Sequence, residues 1–275
     1  MTAVGIVGPG NAGVSLGFAL SRAGHKVFLH GRQAKNLPVP LELTWGGTPP
    51  WLSAVDIVCL AVPDSAIESC AAELARSRHV ERRHIVLHFS GVFDRQVLAP
   101  LAGTGASLGS FHPVQSLHDP LTAPEGLKGA SVLVEGDELA AKQATELGRS
   151  LGLHPIPVTT DQKPLFHVAE MLASTFVVVL GSAGEKLLEQ AGLRGQEIWQ
   201  TLAPVFAGTL ENMRRRGTEG AFGSPLDRAE DDAIRQHLGA LPAPVRELYR
   251  ALSRAAIELA DLPEDRRRLI SAAVD

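Results

Sequence analysis

A short apolar strand that runs directly into a glycine-rich turn is the feature that most constrains the fold of this chain. Residues 4–7 are apolar and favour a strand, and the turn that follows has the spacing G-x-G-x-x-G. Residues 14–23 then have a helical pattern that ends at Gly24, and residues 26–30 form a second strand pattern. This order predicts the first βαβ unit of a dinucleotide-binding fold.

Each glycine of the turn meets a separate physical requirement. Gly8 permits the tight turn, Gly10 lets the backbone approach a pyrophosphate, and Gly13 lets the helix pack close to the strand. The pyrophosphate is expected at the helix N-terminus, where free N–H groups favour negative charge. The predicted cofactor-binding residues of the turn are Gly8, Pro9, Gly10, Asn11, Ala12 and Gly13.

The end of the second strand bears on which dinucleotide binds. The sequence there lacks the carboxylate that binds the ribose 2′-hydroxyl of NAD, whereas Arg32 is available for the 2′-phosphate of NADP. Val62 and Pro63 follow the third strand and are expected to line the cofactor. We therefore expect NADP as the cofactor, with NAD as the alternative.

Strand and helix patterns alternate as far as residue 158, and only helical patterns follow from residue 162. Further strands are predicted at 55–62, 84–89, 106–111, 131–134 and 155–158, with helices at 66–76 and 139–151. Later helices are predicted at 164–191, 195–216, 228–238 and 243–262 and from residue 264. The pattern predicts an α/β fold, with a Rossmann-type doubly wound, mostly parallel sheet over residues 1–161. An all-helical domain for substrate binding and dimerisation is expected over residues 162–275.

Composition and charge favour a soluble protein that binds a small molecule. The net charge is −4, and the arginine triplets at 214–216 and 266–268 are typical of solvated helix faces, so no nucleic-acid partner is expected. Cys59 and Cys70 have no C-x-x-C partner, and the first strand begins at once without room for a signal peptide. These features favour a cytoplasmic protein.

The most apolar segment of the chain is residues 168–184. It is shorter than the roughly 20 apolar residues that a membrane span needs, so we expect a buried helix and no membrane partner. Residues 176–180 and the later amphipathic helices carry more apolar surface than one small domain readily hides, which predicts a homodimer.

Polar residues that follow the strands are candidates for chemistry, because ligands bind at the carboxyl ends of parallel strands. Ser90 follows the fourth strand, and His112 follows the fifth, where Pro113 holds it in extended backbone. Neither H-E-x-x-H nor a cluster of cysteine and histidine ligands occurs, so no metal site is predicted. Ser90 lies in no G-x-S-x-G motif, which argues against a serine hydrolase.

The helix that opens the second half carries a polar stripe. Lys163, His167, Glu170 and Ser174 are spaced i, i+4, i+7 and i+11. Such a stripe is either a solvent-exposed face or the lining of a cleft, and the apolar flanks favour the cleft. We expect Lys163 or His167 to transfer a proton at the nicotinamide end of the cofactor. Polar substrate groups are expected to meet His112, Ser90, Ser174 and Arg228.

In these motifs the chain resembles, over nearly its whole length, bacterial Rossmann-like proteins with a helical DUF2520 domain, which are described as NADP oxidoreductases. That family is similar to pyrroline-5-carboxylate reductase, ketopantoate reductase and the 6-phosphogluconate dehydrogenase group. The segments that carry the resemblance are Gly8-Pro9-Gly10-Asn11-Ala12-Gly13, Val62-Pro63-Asp64-Ser65-Ala66-Ile67, His88-Phe89-Ser90-Gly91, Ser110-Phe111-His112-Pro113 and Lys163-Pro164-Leu165-Phe166-His167-Val168-Ala169. The resemblance implies the fold and a homodimer, but no particular reaction.

The chain departs from the family pattern in two places. Ser174-Thr175 stands where the family has Ser-Asn. In residues 224–230, Arg228 is kept, but both glycines and the aspartate of a Gly-Pro-x-x-Arg-Gly-Asp pattern are replaced. These departures put any ligand contact of that stretch in question.

Together these patterns predict an NAD(P)-dependent oxidoreductase that acts on a small carbonyl, imine or hydroxy acid. Two alternatives stay open. Oxidation of the prephenate-dehydrogenase type is one, because the stretch around His112 is similar to the histidine motif of that family. The other is a nucleotide-binding sensor or scaffold that keeps the fold without catalysis.

Overall fold

The chain forms two compact units in a computed structural model that describes residues 2–226, 228, 230–260 and 262–275. The units are Met1–Ser174 and Thr175–Asp275. The first unit therefore extends beyond residue 161, where the sequence predicts a boundary. The side chain of Lys163 accounts for the difference, because it is fully buried and hydrogen-bonded to the strand ends of the first unit.

An eight-stranded sheet is the centre of the first unit. Its strands are β1 (Ala3–Val7), β2 (Lys26–Gly31), β3 (Leu43–Trp45), β4 (Ile57–Leu60), β5 (Ile85–His88), β6 (Ser107–Val114), β7 (Ser131–Gly136) and β8 (His154–Pro157). They lie in the order β3-β2-β1-β4-β5-β6-β7-β8. Every neighbouring pair is parallel except β6 and β7, which are antiparallel. The predicted mostly parallel α/β fold is confirmed, and its first six strands follow the order of dinucleotide-binding folds.

Helices cover both faces of this sheet. They are α1 (Asn11–Arg22), α2 (Asp64–Ser77), α3 (Ala123–Leu127), α4 (Glu138–Ser150) and α5 (Lys163–Ala173), with a 3₁₀ segment at Arg95–Thr104. Successive side chains of β4 enter opposite cores, because side chains alternate along a strand. Cys59 packs in the core under α1 and α4, whereas Val58 packs in the core under α2 and the 3₁₀ segment. A strand buried on both faces explains the continuous apolar pattern of residues 55–62.

The regular secondary structure in the described residues of the second unit is helical. It contains α6 (Thr175–Gln190), α7 (Gln196–Ala221), α8 (Asp231–Ala240), α9 (Ala243–Leu259) and α10 (Glu264–Val274). Its core joins α8, α9 and α10 through Ile234, Ile257 and Ile270. The helix predicted from residue 228 begins instead at Asp231, and Ala229 within the prediction lies outside the described residues.

The helix predicted over residues 164–191 is two helices. Ser174 has φ −124° and ψ −80°, which leaves the helical region and separates α5 from α6. By length and composition alone, Lys163–Gln190 is the one run of the described residues that could cross a membrane. The break at Ser174 and the burial of Lys163 distinguish this run from a continuous apolar span.

The expectation of a buried helix over residues 168–184 is wrong. Val168, Leu172 and Val178 are 54%, 59% and 72% exposed, and Gly181 is the buried residue of α6. Apolar composition indicates that a surface needs a covering layer, but it does not say whether that layer belongs to the same chain. In the described chain these side chains remain uncovered.

Candidate functional site

The glycine turn between β1 and α1 has the close contacts that its sequence predicts. Gly8 has φ +108°, and a Cβ atom added there would lie 2.3 Å from the carbonyl oxygen of Ala61. A Cβ atom at Gly13 would lie 2.0 Å from the carbonyl oxygen of Gly8. At Gly10 a Cβ atom would meet no described atom within 4 Å. Two glycines are therefore required by packing, while the third leaves open space beside the turn.

A cavity of about 670 Å³ opens at this turn. Among the predicted cofactor residues, those that line it are Gly8, Pro9, Gly10, Arg32, Val62 and Pro63. Asn11, Ala12 and Gly13 form the first turn of α1, whose N-terminus is capped by no side chain of the described residues. Backbone N–H groups at such an end are available to an anion, and the macrodipole favours its negative charge. The cavity is thus suited to a dinucleotide.

Arg32, Arg76 and Glu73 are the charged residues that line this cavity, and Lys35 contacts the glycine turn beside it; of the three cations, sequence reasoning identified Arg32. The side chain of Arg32 is exposed and lines the cavity. The ammonium of Lys35 donates a hydrogen bond of 3.1 Å to the carbonyl oxygen of Pro9 in the glycine turn. Sequence reasoning stopped at Arg32, although Lys35 follows only three residues later in the same loop.

Three polar side chains lie close together near the end of β6. They belong to His112, His167 and Glu170, and we call them the histidine cluster. His112 lies inside β6, where it pairs with Leu133 of β7, and not after the strand as the sequence predicts. It stands two residues beyond Ser110, which pairs with the last residue of β5, so it projects past that neighbouring strand. His167 and Glu170 lie on one face of α5, as their i, i+3 spacing requires. The imidazole rings of His112 and His167 meet edge to face, with centroids 6.0 Å apart.

The hydrogen bonds of His112 fix which of its nitrogens carries hydrogen. Its Nδ1 lies 2.8 Å from the carbonyl oxygen of Phe89, which can only accept, so Nδ1 donates. Its Nε2 lies 2.8 Å from Oε2 of Glu170. In a neutral ring and an ionised carboxylate, both of these atoms are acceptors. A proton or another cation must therefore lie between them.

His167 has a ring nitrogen that no described residue binds. Its Nδ1 is buried, has no hydrogen-bond partner among the described residues and lies 3.7 Å from the same Oε2 of Glu170. One ligand atom from each of the three cluster residues lies within 4.8 Å of the others. The arrangement has the geometry of a metal-binding site, which the sequence did not predict. His112 and the two residues of α5 are far apart in the chain, so no ligand spacing marks them.

The side chain of Lys163 is buried inside the first unit and does not line an open cleft with the rest of the polar stripe of α5. Its ammonium is fully buried and donates to the carbonyl oxygen of Ser90 at 3.1 Å and to the hydroxyl of Ser110 at 2.8 Å. Burial lowers the pKa of this amine to about 8, although the nearby Glu135 and Asp94 oppose the change. The contacts anchor the start of α5 to the ends of β5 and β6. They favour a positioning role, and the predicted proton transfer by Lys163 stays a prediction.

The hydroxyl of Ser90 already has three hydrogen-bond partners. It donates to Oδ2 of Asp64 at 2.9 Å and accepts from the backbone N–H groups of Val92 and Phe93 at 3.1 and 3.0 Å. Asp64 directly follows Pro63, which lines the cofactor cavity. This one loop therefore links the cavity to the histidine cluster.

A buried neutral histidine supports the same loop. Nε2 of His88 donates to the carbonyl oxygen of Asp94 at 3.1 Å, and Nδ1 accepts from the N–H of Ser90 at 3.2 Å. Burial and the charge of Lys163 lower the pKa of His88 to about 3. His88 is thus uncharged near neutral pH, and both of its nitrogens are used structurally.

The two predicted substrate-binding residues have local partners. The hydroxyl of Ser174 donates to the carbonyl oxygen of Glu170 at 2.7 Å, one helical turn earlier. Arg228 belongs to the second unit and pairs with Glu230 at 2.6 Å. Asp227 and Ala229 on either side of it lie outside the described residues. Substrate binding by Ser174 and Arg228 stays a prediction.

Two family models match the chain. Residues 49–113 match a Rossmann-like domain, and residues 130–256 match the Domain of unknown function (DUF2520). The resemblance predicted from the sequence motifs is thereby confirmed. No curated protein matches the sequence.

Solved structures share this fold at low sequence identity. A proposed NADP oxidoreductase from Bacteroides fragilis is 19% identical, with a TM-score of 0.76 over 93% of this chain and 97% of that chain. A reductive aminase from Aspergillus terreus, solved with NADPH and ethyl levulinate, is 17% identical, with a TM-score of 0.67 over 99% of each chain. Pyrroline carboxylate reductase from Plasmodium falciparum with NADP bound is 14% identical, with a TM-score of 0.64 over 100% of this chain and 98% of that chain.

Proposed function

We propose that this protein is an NAD(P)-dependent oxidoreductase that acts on a small carbonyl, imine or hydroxy acid. The cavity of about 670 Å³ at the glycine turn is the observation that carries this proposal. Its volume lies in the usual range for cofactor sites, and its place at the carboxyl ends of parallel strands is where dinucleotides bind. The cofactor would supply the hydride chemistry, while the protein binds and orients the substrate.

NADP is the cofactor that the charges at the cavity favour. Arg32 and Lys35 place two cations at the turn, and a guanidinium binds a phosphate through paired, charge-assisted hydrogen bonds. The structures that share the fold include enzymes solved with NADP, with NADPH and with NAD+, so the fold leaves both cofactors open. The cations at the turn are what support a preference for NADPH over NADH.

The histidine cluster is the second part of the proposed site. Reduction of a carbonyl or imine leaves negative charge on the substrate oxygen or nitrogen, which must be neutralised by a proton or a cation. The contact between His112 and Glu170 already needs a proton or another cation at this point. Lys163 and Ser90 would position the cluster indirectly. The hydrogen bonds of Lys163 hold α5, and those of Ser90 hold the loop that follows β5.

Fluorescence titration with NADPH and NADH tests the cofactor site. We expect tighter binding of NADPH, and we expect Arg32→Ala to weaken NADPH roughly tenfold or more while NADH binding changes little, because a charge-assisted contact is lost. Arg149→Ala removes an exposed arginine from α4 and serves as the matched control. Equal affinities for both cofactors, or an unchanged NADPH affinity of Arg32→Ala, would contradict the assignment of NADP.

Turnover separates an enzyme from a sensor. NADPH oxidation is followed by absorbance with a panel of small ketones, imines and keto acids, and the reverse reaction with hydroxy acids and prephenate. Turnover of a panel member is the expected result. Tight NADPH binding without turnover of any panel member would favour the nucleotide-binding sensor or scaffold instead.

A further inference from the structure

We infer that His112, His167 and Glu170 form a binding site for one divalent transition metal ion. This inference deepens the proposed function and rests on it for the role of the ion, but binding itself can be measured without turnover. The three ligand atoms lie within 4.8 Å of one another, and the two histidine rings present nitrogen atoms toward one carboxylate.

The tautomer of His112 is the first argument. Its Nδ1 hydrogen is held by the carbonyl oxygen of Phe89, so the lone pair of Nε2 is directed at Oε2 of Glu170. A hydrogen bond from the far ring nitrogen to a backbone carbonyl is the usual way in which proteins fix a metal-binding histidine. A metal ion bound by Nε2 and Oε2 would supply the positive charge that these two acceptors require.

The space beside Gly91 is the second argument. A Cβ atom added to Gly91 would lie 2.8 Å from Nδ1 of His167 and 2.9 Å from Nε2 of His112. Both ring nitrogens therefore face the same small volume, and the absence of a side chain at Gly91 keeps that volume open. Nδ1 of His167 has no other hydrogen-bond partner among the described residues, although it is buried.

The distances are close to those of an occupied site. With metal–ligand bonds of about 2.1 Å, ligand atoms of a tetrahedral site lie roughly 3.4 Å apart. The observed separations from Oε2 of Glu170 are 2.8 Å to Nε2 of His112 and 3.7 Å to Nδ1 of His167, which lie on either side of that value.

The donor set indicates the class of ion. Two imidazoles and one carboxylate suit zinc and ferrous iron, whereas magnesium and calcium prefer oxygen ligands alone. The side chains of His112, Glu170 and His167 are 14%, 19% and 35% exposed, so the cluster is accessible from one side. Three protein ligands with an accessible side are typical of catalytic sites, in which a water or substrate takes the remaining position.

In the proposed reaction the ion would hold the substrate oxygen. The cofactor held at the glycine turn would supply a hydride to the carbonyl carbon, the electron pair of the C=O bond would move to oxygen, and water would give the proton that completes the alcohol and leave as hydroxide. His112, His167 and Glu170 would hold the ion beside that oxygen, where its charge would offset the developing negative charge with no change in the oxidation state of the ion.

Calorimetric titration with zinc chloride tests the site. Protein without a histidine tag is treated with a chelator, dialysed and titrated, and we expect one zinc ion per chain. His167→Ala removes a ligand, and Gly91→Ala fills the open space at a position where φ is not positive. Each change should weaken zinc binding roughly 100-fold, at or beyond the 10–100-fold loss usual for second-shell changes. The matched controls are His154→Ala, which removes an exposed imidazole, and Gly103→Ala, where a Cβ atom would meet no described atom within 4 Å.

Two results would overturn the inference. Wild-type protein could bind no zinc, or both His167→Ala and Gly91→Ala could bind zinc as wild type does, which would place the ion elsewhere. Circular dichroism of each variant verifies that it is folded. NADPH titration of the same samples separates the two proposals: intact NADPH binding without zinc binding removes only the metal site, whereas zinc binding without NADPH binding removes only the oxidoreductase.

Discussion

Replacing Lys163 with methionine should remove a large pH dependence from the stability of this protein. The ammonium of Lys163 is fully buried, and burial lowers its pKa to about 8 from an ordinary value of 10.5. The charged groups that face it are Glu135, Asp94 and Asp64, which raise the pKa without restoring it. Methionine has a similar length and no charge, so it tests the charge at nearly constant volume.

The sign and size of the effect follow from the two pKa values. Between pH 8 and 10.5 the unfolded chain holds the Lys163 proton more firmly than the folded chain does, so stability rises with pH over this window. One pKa unit corresponds to about 1.4 kcal/mol, and the whole difference therefore amounts to about 3 kcal/mol. Below pH 8 both states carry the proton, and the cost of burying the charge is constant.

Urea unfolding at intervals from pH 7 to 10.5 measures this effect. The difference in unfolding free energy between wild type and Lys163→Met should move by about 3 kcal/mol in favour of wild type as pH rises. Other groups that titrate at high pH, such as Tyr249, cancel in that difference. Lys142→Met, which removes an exposed lysine from α4, is the control for losing a lysine. A wild-type-to-Lys163→Met difference that stays constant over this range would refute the reasoning.

Substitutions elsewhere have outcomes that are also measurable. Gly13→Val should abolish NADPH binding in a fluorescence titration, because even a Cβ atom there would lie 2.0 Å from the carbonyl oxygen of Gly8; unchanged affinity would contradict the predicted turn. We expect a homodimer by light scattering, and Val178→Glu, at a 72% exposed position of α6, should shift it toward monomer. A monomeric wild type at micromolar concentration would exclude this. Once a substrate is found, Lys163→Ala and His167→Ala should each lower turnover roughly 100-fold with NADPH binding intact; wild-type turnover in both would eliminate the cluster as the catalytic site.

Those parts of the fold that depend on local sequence could be predicted. The strand, turn and helix around the glycine turn are contiguous, and the alternation of strands and helices predicted a parallel sheet. β3 could not be predicted, because its three residues are too few to show a period and lie in a loop rich in proline and glycine. The break at Ser174 was not predicted, although Thr175 and the valines at 177–179 that follow it have low helical propensity.

Burial was harder to predict than secondary structure. The polar stripe of α5 separates in the structure, with the long side chain of Lys163 directed into the core and the shorter side chains of His167 and Glu170 at the histidine cluster. Spacing of i and i+4 places two residues on one face, but the length of each side chain decides what it reaches. The apolar side chains of α5 and α6 were expected to be buried but are exposed. Their composition indicates that they need a covering surface, but the sequence does not say which molecule provides it.

The sequence made His112 and the polar stripe of α5 candidates for one cleft, but it could not show that His112, His167 and Glu170 form one cluster, because they meet only through the sheet. The parallel pairing of β5 and β6 brings His112 beside the loop at Gly91, and the burial of Lys163 then fixes α5 so that His167 and Glu170 face the same loop. That loop is also tied through Ser90 to Asp64, the neighbour of the cofactor cavity. Position along the chain carries none of this information, whereas the sheet order determines it. In the proposed function, the tie through Ser90 and Asp64 would let the cavity and the histidine cluster serve one substrate, because hydride transfer and charge stabilisation must occur at the same double bond.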